Sequence, residues 1–257
     1  MPEEATQRWI MALDIENFSQ RRDPVQRHVR AAMYRVLDSA MGRAGLRDEY
    51  ILSEDRGDGV LMLVDPAVSP LLIVGPFVRE LDTELGEYAQ GSNPEHALRL
   101  RLTLHQGLAT RDGRGWSGDA VNTTCRLVDA QPLRDVLAAA PSARMVFAVS
   151  DEVHHSVIRH GHRGIDPAAY LPSRFVTKHG EEIGLWATVP GRAAPPGLSS
   201  AQPVPAPVPP GSDTNPASGS GRAADRPTAV QWAETVQGDQ VAGDKNVTVH
   251  TNGSVRL

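Results

Sequence analysis

Apolar positions along the chain follow two rhythms. Trp9-Ile-Met-Ala-Leu-Asp14 is a short unbroken apolar run, the pattern of a buried strand that stops at a carboxylate. Val25, Val29, Met33, Val36 and Ala40 then recur every three or four residues. That spacing predicts a helix, with Asp23 as N-cap, Pro24 at its first position and Gly45 closing it. Tyr50-Ile-Leu-Ser-Glu54 and Val60-Leu-Met-Leu-Val64 flank Asp55-Arg-Gly-Asp-Gly59, which reads as a hairpin. A second helix is expected over Leu71 to Tyr88. From Leu98 to His105 leucine alternates with Arg, Thr and His, as in a strand with one wet face. A helix over Gly118 to Ala130, a strand over 144–149, a helix over 151–161 and strands over 170–177 and 182–189 complete the series.

The order β-α-β-β-α-β with additions predicts an α+β domain over residues 1–190, resembling a ferredoxin-like core. The rhythm fails near Gly191. Residues 191–228 hold nine of the twenty prolines among Ala, Ser and Gly. Such a segment buries too little apolar surface to offset its ordering entropy, so it is expected to be a disordered linker. Beyond it, residues 229–257 regain spaced valines and two Gly-Asp pairs, at 238–239 and 243–244. This short stretch reads either as a β-like element for assembly or recruitment of a protein partner, or as a plain terminus with turn-forming steps.

Composition narrows the function. A net charge of −5 argues against nucleic-acid binding through a broad basic field. One cysteine, Cys125, excludes a disulfide framework and any multi-cysteine metal site. No apolar run nears the ~20 residues that span a bilayer, and the Met1-Pro-Glu-Glu start is unlike a signal peptide, so a cytoplasmic protein without membrane contact is expected.

Two carboxylates carry candidate chemistry. Asp14 ends the first strand and Asp58 sits in the hairpin turn between Gly57 and Gly59. A strand end and a neighbouring hairpin tip can lie side by side, where two carboxylates suit a hard cation such as Mg²⁺ that shares its ligands with phosphates. Asp in a Gly-flanked turn is also an ordinary structural choice. Downstream, Asn122 and Arg126 are four residues apart and share one helix face. An amide beside a guanidinium can steady charge on a transferring phosphoryl group.

Together these pieces resemble the catalytic domain of class III nucleotidyl cyclases, the adenylate/guanylate cyclase family. Asp14, Ile15, Phe18 and Ser19 match its first motif, Gly57-Asp58 its hairpin, His105-Gln-Gly107 its His-x-Gly strand, and Gly118, Val121, Asn122 and Arg126 its last motif. The resemblance spans about residues 8–190. It implies that Asp14, Asp58 and the Ile15 carbonyl hold two Mg²⁺ or Mn²⁺ ions per site, that Asn122 orients the ribose, and that Arg126 steadies charge at the α-phosphate. It implies too that the carboxylates and the Asn/Arg pair of one site come from different subunits of a head-to-tail homodimer. The product would be a 3′,5′-cyclic nucleotide, with pyrophosphate leaving from an NTP. The alternative is a catalytically degenerate module of the same fold that binds nucleotide or a partner in bacterial signalling or defence.

Base choice departs from the pattern. Glu54 stands three residues before the hairpin glycine, where the family places lysine for adenine and glutamate for guanine. A carboxylate suits the N–H groups of guanine or the amino group of cytosine and disfavours uracil. The second base-contacting position falls on Gly115, which offers no side chain. Both purine specificities therefore stay open beside a pyrimidine cyclase of the antiphage kind. Lys178, one of only two lysines, lies within one residue of the family's triphosphate-binding position. His154, His155, His160 and His162 diverge on a helix rather than converge on a metal, and Cys125 reads as packing.

Overall fold

A computed structural model describes residues 4–198 apart from Arg114. The chain enters through β1 (Thr6–Ile15), which leads through a 3-10 turn into α1 (Asp23–Ala44). Helix α1 starts one residue earlier than its capping pattern suggests, with Arg22 as N-cap and Asp23 already helical, and Gly45 closes it in the left-handed conformation. The hairpin follows as β2 (Ile51–Asp55) and β3 (Gly59–Val64). The second helix forms in pieces: α2 (Pro70–Leu72), a widened π turn over Ile73–Phe77, and α3 (Val78–Gln90). Pro76 lies in the widened turn, where its missing N–H leaves no bond to break.

Next come β4 (Leu100–Asp112), β5 (Gly115–Ser117), α4 (Asp119–Val128) and α5 (Gln131–Ala139). The chain then runs through β6 (Met145–Ser150), the short α6 (Asp151–Ser156), β7 (Leu171–Val176) and β8 (Glu182–Thr188). The sequence pattern foresaw neither β5 nor α5. The helix expected over 151–161 breaks at Val157 and resumes as a 3-10 turn over Ile158–His160.

The sheet runs β2-β3-β1-β4-β6-β8-β7, with β5 paired to β4. Its β2-β3-β1-β4 half is antiparallel throughout, the ferredoxin-like order. Both faces are covered. Met11, Leu13, Met62, Leu102 and Phe147 pack towards α1 and α3, whereas Ile10, Ala12, Leu61 and Leu63 pack towards Ala120, Val121 and Val128 of α4. Helix α5 closes the same side over β6 and β8 through Leu133, Val136 and Leu137. Double coverage explains why β3 and β6 are buried at every position.

It also corrects the reading of β4. Its alternating Arg101, Thr103 and His105 are not a wet face: all three are buried on the side that the second helix layer covers. Gly107, further along β4, permits that layer: a Cβ there would stand 2.5 Å from the Ala120 Cβ. Pro195 is buried and Leu198 packs against the α5 cluster, while Arg192 reaches Ser142 at 2.7 Å. The rest of the expected linker, and the segment 229–257, lie outside the described residues.

His105 shares a 2.8 Å hydrogen bond with Ser150, whose hydroxyl caps α6, and the Glu152 carboxylate stands 3.6 Å away. Burial pushes the imidazole below its usual 6.5, against the pull of Glu152. The unfolded chain thus binds a proton that the folded chain resists, and stability contributed above pH 6.5 is lost as pH falls towards the lowered value. His105→Gln should flatten this acid loss when melting temperature is followed from pH 7.5 to pH 5; parallel curves for the two proteins would refute the assignment.

Candidate active site

The site grows from the end of β1. Asp14 pairs with Gly59 of β3 on one side and Arg101 of β4 on the other. The Gly59 position tolerates no side chain, since a Cβ would lie 2.1 Å from the Leu13 carbonyl oxygen. One residue on, the Ile15 N–H donates to the Asp58 carbonyl at 3.0 Å, which fastens the hairpin tip to the strand end. Asn17 then takes the left-handed conformation and turns the chain out of the sheet. Arg21 holds this turn by donating to the carbonyls of Glu16 (3.1 Å) and Ala97 (2.8 Å).

The hairpin tip has a second anchor on α1. Arg30 donates through Nε to the Gly57 carbonyl at 2.9 Å and pairs with Asp55, whose other oxygen accepts from the Gly57 N–H at 2.7 Å. Arg30 thereby fixes the residue next to Asp58 without touching Asp58 itself.

Asp14, Ile15 and Asp58 line one cavity of about 620 Å³, together with Arg56, Arg101 and Arg134. Asp58 is exposed, whereas Asp14 is only 9% exposed. Asp14 Oδ2 accepts from Arg101, and Oδ1 is buried without a partner. An unpartnered buried carboxylate oxygen at a cavity wall, with a second carboxylate on the same cavity, suits a hard divalent cation. Among the described residues no three His, Cys, Asp or Glu side chains gather into a full ligand set.

Asn122 and Arg126 stand elsewhere. Helix α4 buries Val121, Thr124, Leu127 and Val128 and turns Cys125, Val128 and Asp129 towards the cavity. Asn122 is exposed, Arg126 is half-buried, and neither lines the cavity. Arg126 pairs at 2.5 Å with Glu181, in the turn between β7 and β8. Lys178 lies exposed in that same turn, so the ion pair brings the lysine's turn against α4. Burial raises the Cys125 thiol, so it stays protonated and inert as a nucleophile at neutral pH.

Glu54 meets Gly115 across the fold. A Cβ on Gly115 would lie 3.0 Å from Glu54 Oε2, so a side chain there would press on the carboxylate and make it give by a few tenths of an ångström. Oε2 is buried and unpartnered, and Oε1 pairs with Arg56 at 3.3 Å. A carboxylate acceptor thus stands beside a guanidinium donor; Arg56 lines the cavity and Glu54 does not. The sequence reading missed Arg30, Arg56, Arg101 and Arg134. Arg101 carried a signal only as a polar position in an alternating strand, and the arginines at 56 and 134 carried none.

No protein-family model matches the sequence, and no curated protein matches it. Solved structures do. An adenylate/guanylate cyclase/hydrolase from Silicibacter pomeroyi superposes with a TM-score of 0.54 at 19% identity, over 74% of this chain and 99% of that one. The chain has the adenylate/guanylate cyclase fold. The guanylyl cyclase Cya2 is also similar, at 17% identity over 78% and 100% of the two chains, with a TM-score of 0.49. A guanylate cyclase domain from Catenaria anguillulae, in complex with GTP, shares 18% identity over 71% and 96%, with a TM-score of 0.45. Within the described residues of this cyclase fold, no helix is long and apolar enough to cross a membrane.

The Arg30 anchor is testable without any ligand. Arg30→Ala should raise amide hydrogen exchange over residues 56–59 by roughly three- to tenfold while the remaining sheet amides hold their protection. Unchanged exchange at the tip would mean that the turn holds itself.

Proposed function

We propose that the chain is a nucleotidyl cyclase that converts an NTP to a 3′,5′-cyclic nucleotide and pyrophosphate, at sites shared between two copies of itself. The observation that carries this reading is the division of the candidate residues. Asp14 and Asp58 line one cavity, and Asn122 and Arg126 lie off it on the exposed side of α4. A site needing all four is incomplete in one copy and can be completed by a second.

In this reading Asp14, Asp58 and the Ile15 carbonyl hold two divalent cations, Mg²⁺ or Mn²⁺. Bound there, the cations supply Lewis acidity that acidifies the ribose 3′-hydroxyl and neutralises the triphosphate. The 3′-oxygen attacks the α-phosphorus, the bond from that phosphorus to the bridging oxygen breaks, and pyrophosphate departs. The hydroxyl proton passes to water. Asn122 donates to the ribose and holds the 3′-oxygen in line. Arg126 leaves Glu181 and places its guanidinium on the oxygens of the α-phosphate, where charge builds in the transition state. Lys178, carried in the same turn as Glu181, reaches the β- and γ-phosphates.

Glu54 reads the base. Its unpartnered oxygen accepts from an N–H of guanine or from the cytosine amino group, and Arg56 beside it donates to a neighbouring carbonyl. GTP and CTP are therefore the expected substrates ahead of UTP. A binding module without turnover is the second reading, and the bare Gly115 wall favours it.

Incubating the full chain with each of the four NTPs and Mn²⁺, then searching for cyclic product by mass spectrometry, separates the two readings. Product is expected, with loss of at least roughly a hundredfold in kcat for Asp58→Asn and for Arg126→Ala. Tight NTP binding with no product from any of the four would establish the binding module instead.

A further inference from the structure

Asp14 is spoken for before any cation reaches it. It faces Arg101 directly across the β1–β4 ladder, and Arg101 NH2 donates to Oδ2. The pair is buried, with Asp14 9% and Arg101 7% exposed. Yet each partner keeps an idle group: Asp14 Oδ1 and Arg101 Nε are both buried without a hydrogen bond. A buried ion pair gains little over its desolvation cost unless its remaining donors and acceptors are satisfied, and this one leaves one of each unsatisfied. Both residues line the cavity. Arg56 and Arg134 line the same cavity, so an anion entering it meets more than one guanidinium.

The two idle groups call for opposite ligands. A divalent cation would satisfy both oxygens of Asp14, and a phosphate would satisfy Nε and NH2 of Arg101 together, as a fork. A cation and a guanidinium cannot share Asp14 cheaply, because they repel one another in a site screened from water.

We propose that Arg101 is a latch on Asp14: it competes with the divalent cation for the carboxylate and lets go when the phosphates of an incoming nucleotide take its guanidinium. Cation and nucleotide then bind interdependently, and the nucleotide-free protein takes up metal poorly. The inference rests on the cyclase reading only for the identity of the phosphate ligand. Arg101 thus acts twice, through Asp14 in the nucleotide-free protein and by direct contact with the phosphates once nucleotide is bound.

The test is Mn²⁺ binding to the full chain without nucleotide, read from the electron paramagnetic resonance signal of free Mn²⁺. Arg101→Met should tighten binding by roughly tenfold or more, the worth of a charge-assisted bond no longer in competition. Adding Asp14→Asn to that variant should abolish the gain. Arg101→Lys keeps a charge but loses the fork, should give a smaller gain, and decides the matter if the Met variant does not fold. The tightening of Mn²⁺ by a 3′-deoxy NTP, which cannot cyclise, should shrink in Arg101→Met by a factor similar to the gain. Affinity in the Met and Lys variants equal to or weaker than in the unaltered protein overturns the latch. If cyclic product is nevertheless made, the cyclase reading survives that result; tightening with no product from any NTP keeps the latch and removes the cyclase reading.

Discussion

Asp14 stands between two antiparallel ladders, and their register decides where the other groups around it can be. On one side Gly59 brings β3 so close that the Leu13 carbonyl would collide with any side chain. The same closeness sets the Ile15 N–H on the Asp58 carbonyl, so the second carboxylate is delivered by backbone geometry. On the other side the ladder sets Arg101 against Asp14. A slip of one residue in either pairing would turn Asp14 to the opposite face of the sheet, towards α1 and α3. The cavity is therefore a consequence of strand register, with Arg30 and Arg21 fastening the loops that leave it.

Charge is distributed with similar economy. Arg101, Arg56 and Arg134 line a cavity that also holds Asp14 and Asp58, so cations and anions of the protein already offset one another there. A ligand carrying both signs, a polyphosphate with its divalent cations, can exchange partners with this set without leaving a net charge buried. Helix α4 divides the remaining chemistry. Its buried stripe locks onto the sheet through the contact Gly107 permits, and its outward face keeps Asn122 and Arg126.

Elements governed by local signals were legible in the sequence. Helix α1 announces itself through Asp23-Pro24 and Gly45, and the hairpin through Gly57-Asp58-Gly59 between apolar runs. Helix α5 was missed although Leu133, Val136 and Leu137 have helical spacing, because only Asp129 and Ala130 separate it from α4. Strand β5, three residues long, is too short for periodicity to register. Of the candidate site, Asp14 and Asp58 could be named because each ends or turns an element. Arg101 could not, because alternation reads as one wet face, and only the topology reveals that α4 covers it. The meeting of Glu54 with Gly115 joins segments about sixty residues apart and follows from no local rule.

The account stands on the claim that two copies of the chain complete one site. The most direct measurement mixes two inactive variants, Asp14→Ala and Arg126→Ala, under conditions that exchange subunits, and follows cyclic-nucleotide formation. Mixed dimers carry one site with both substitutions and one with neither, so about a quarter of the unaltered activity should return. Two inactive proteins that remain inactive when mixed, with subunit exchange demonstrated, would contradict a site shared between copies.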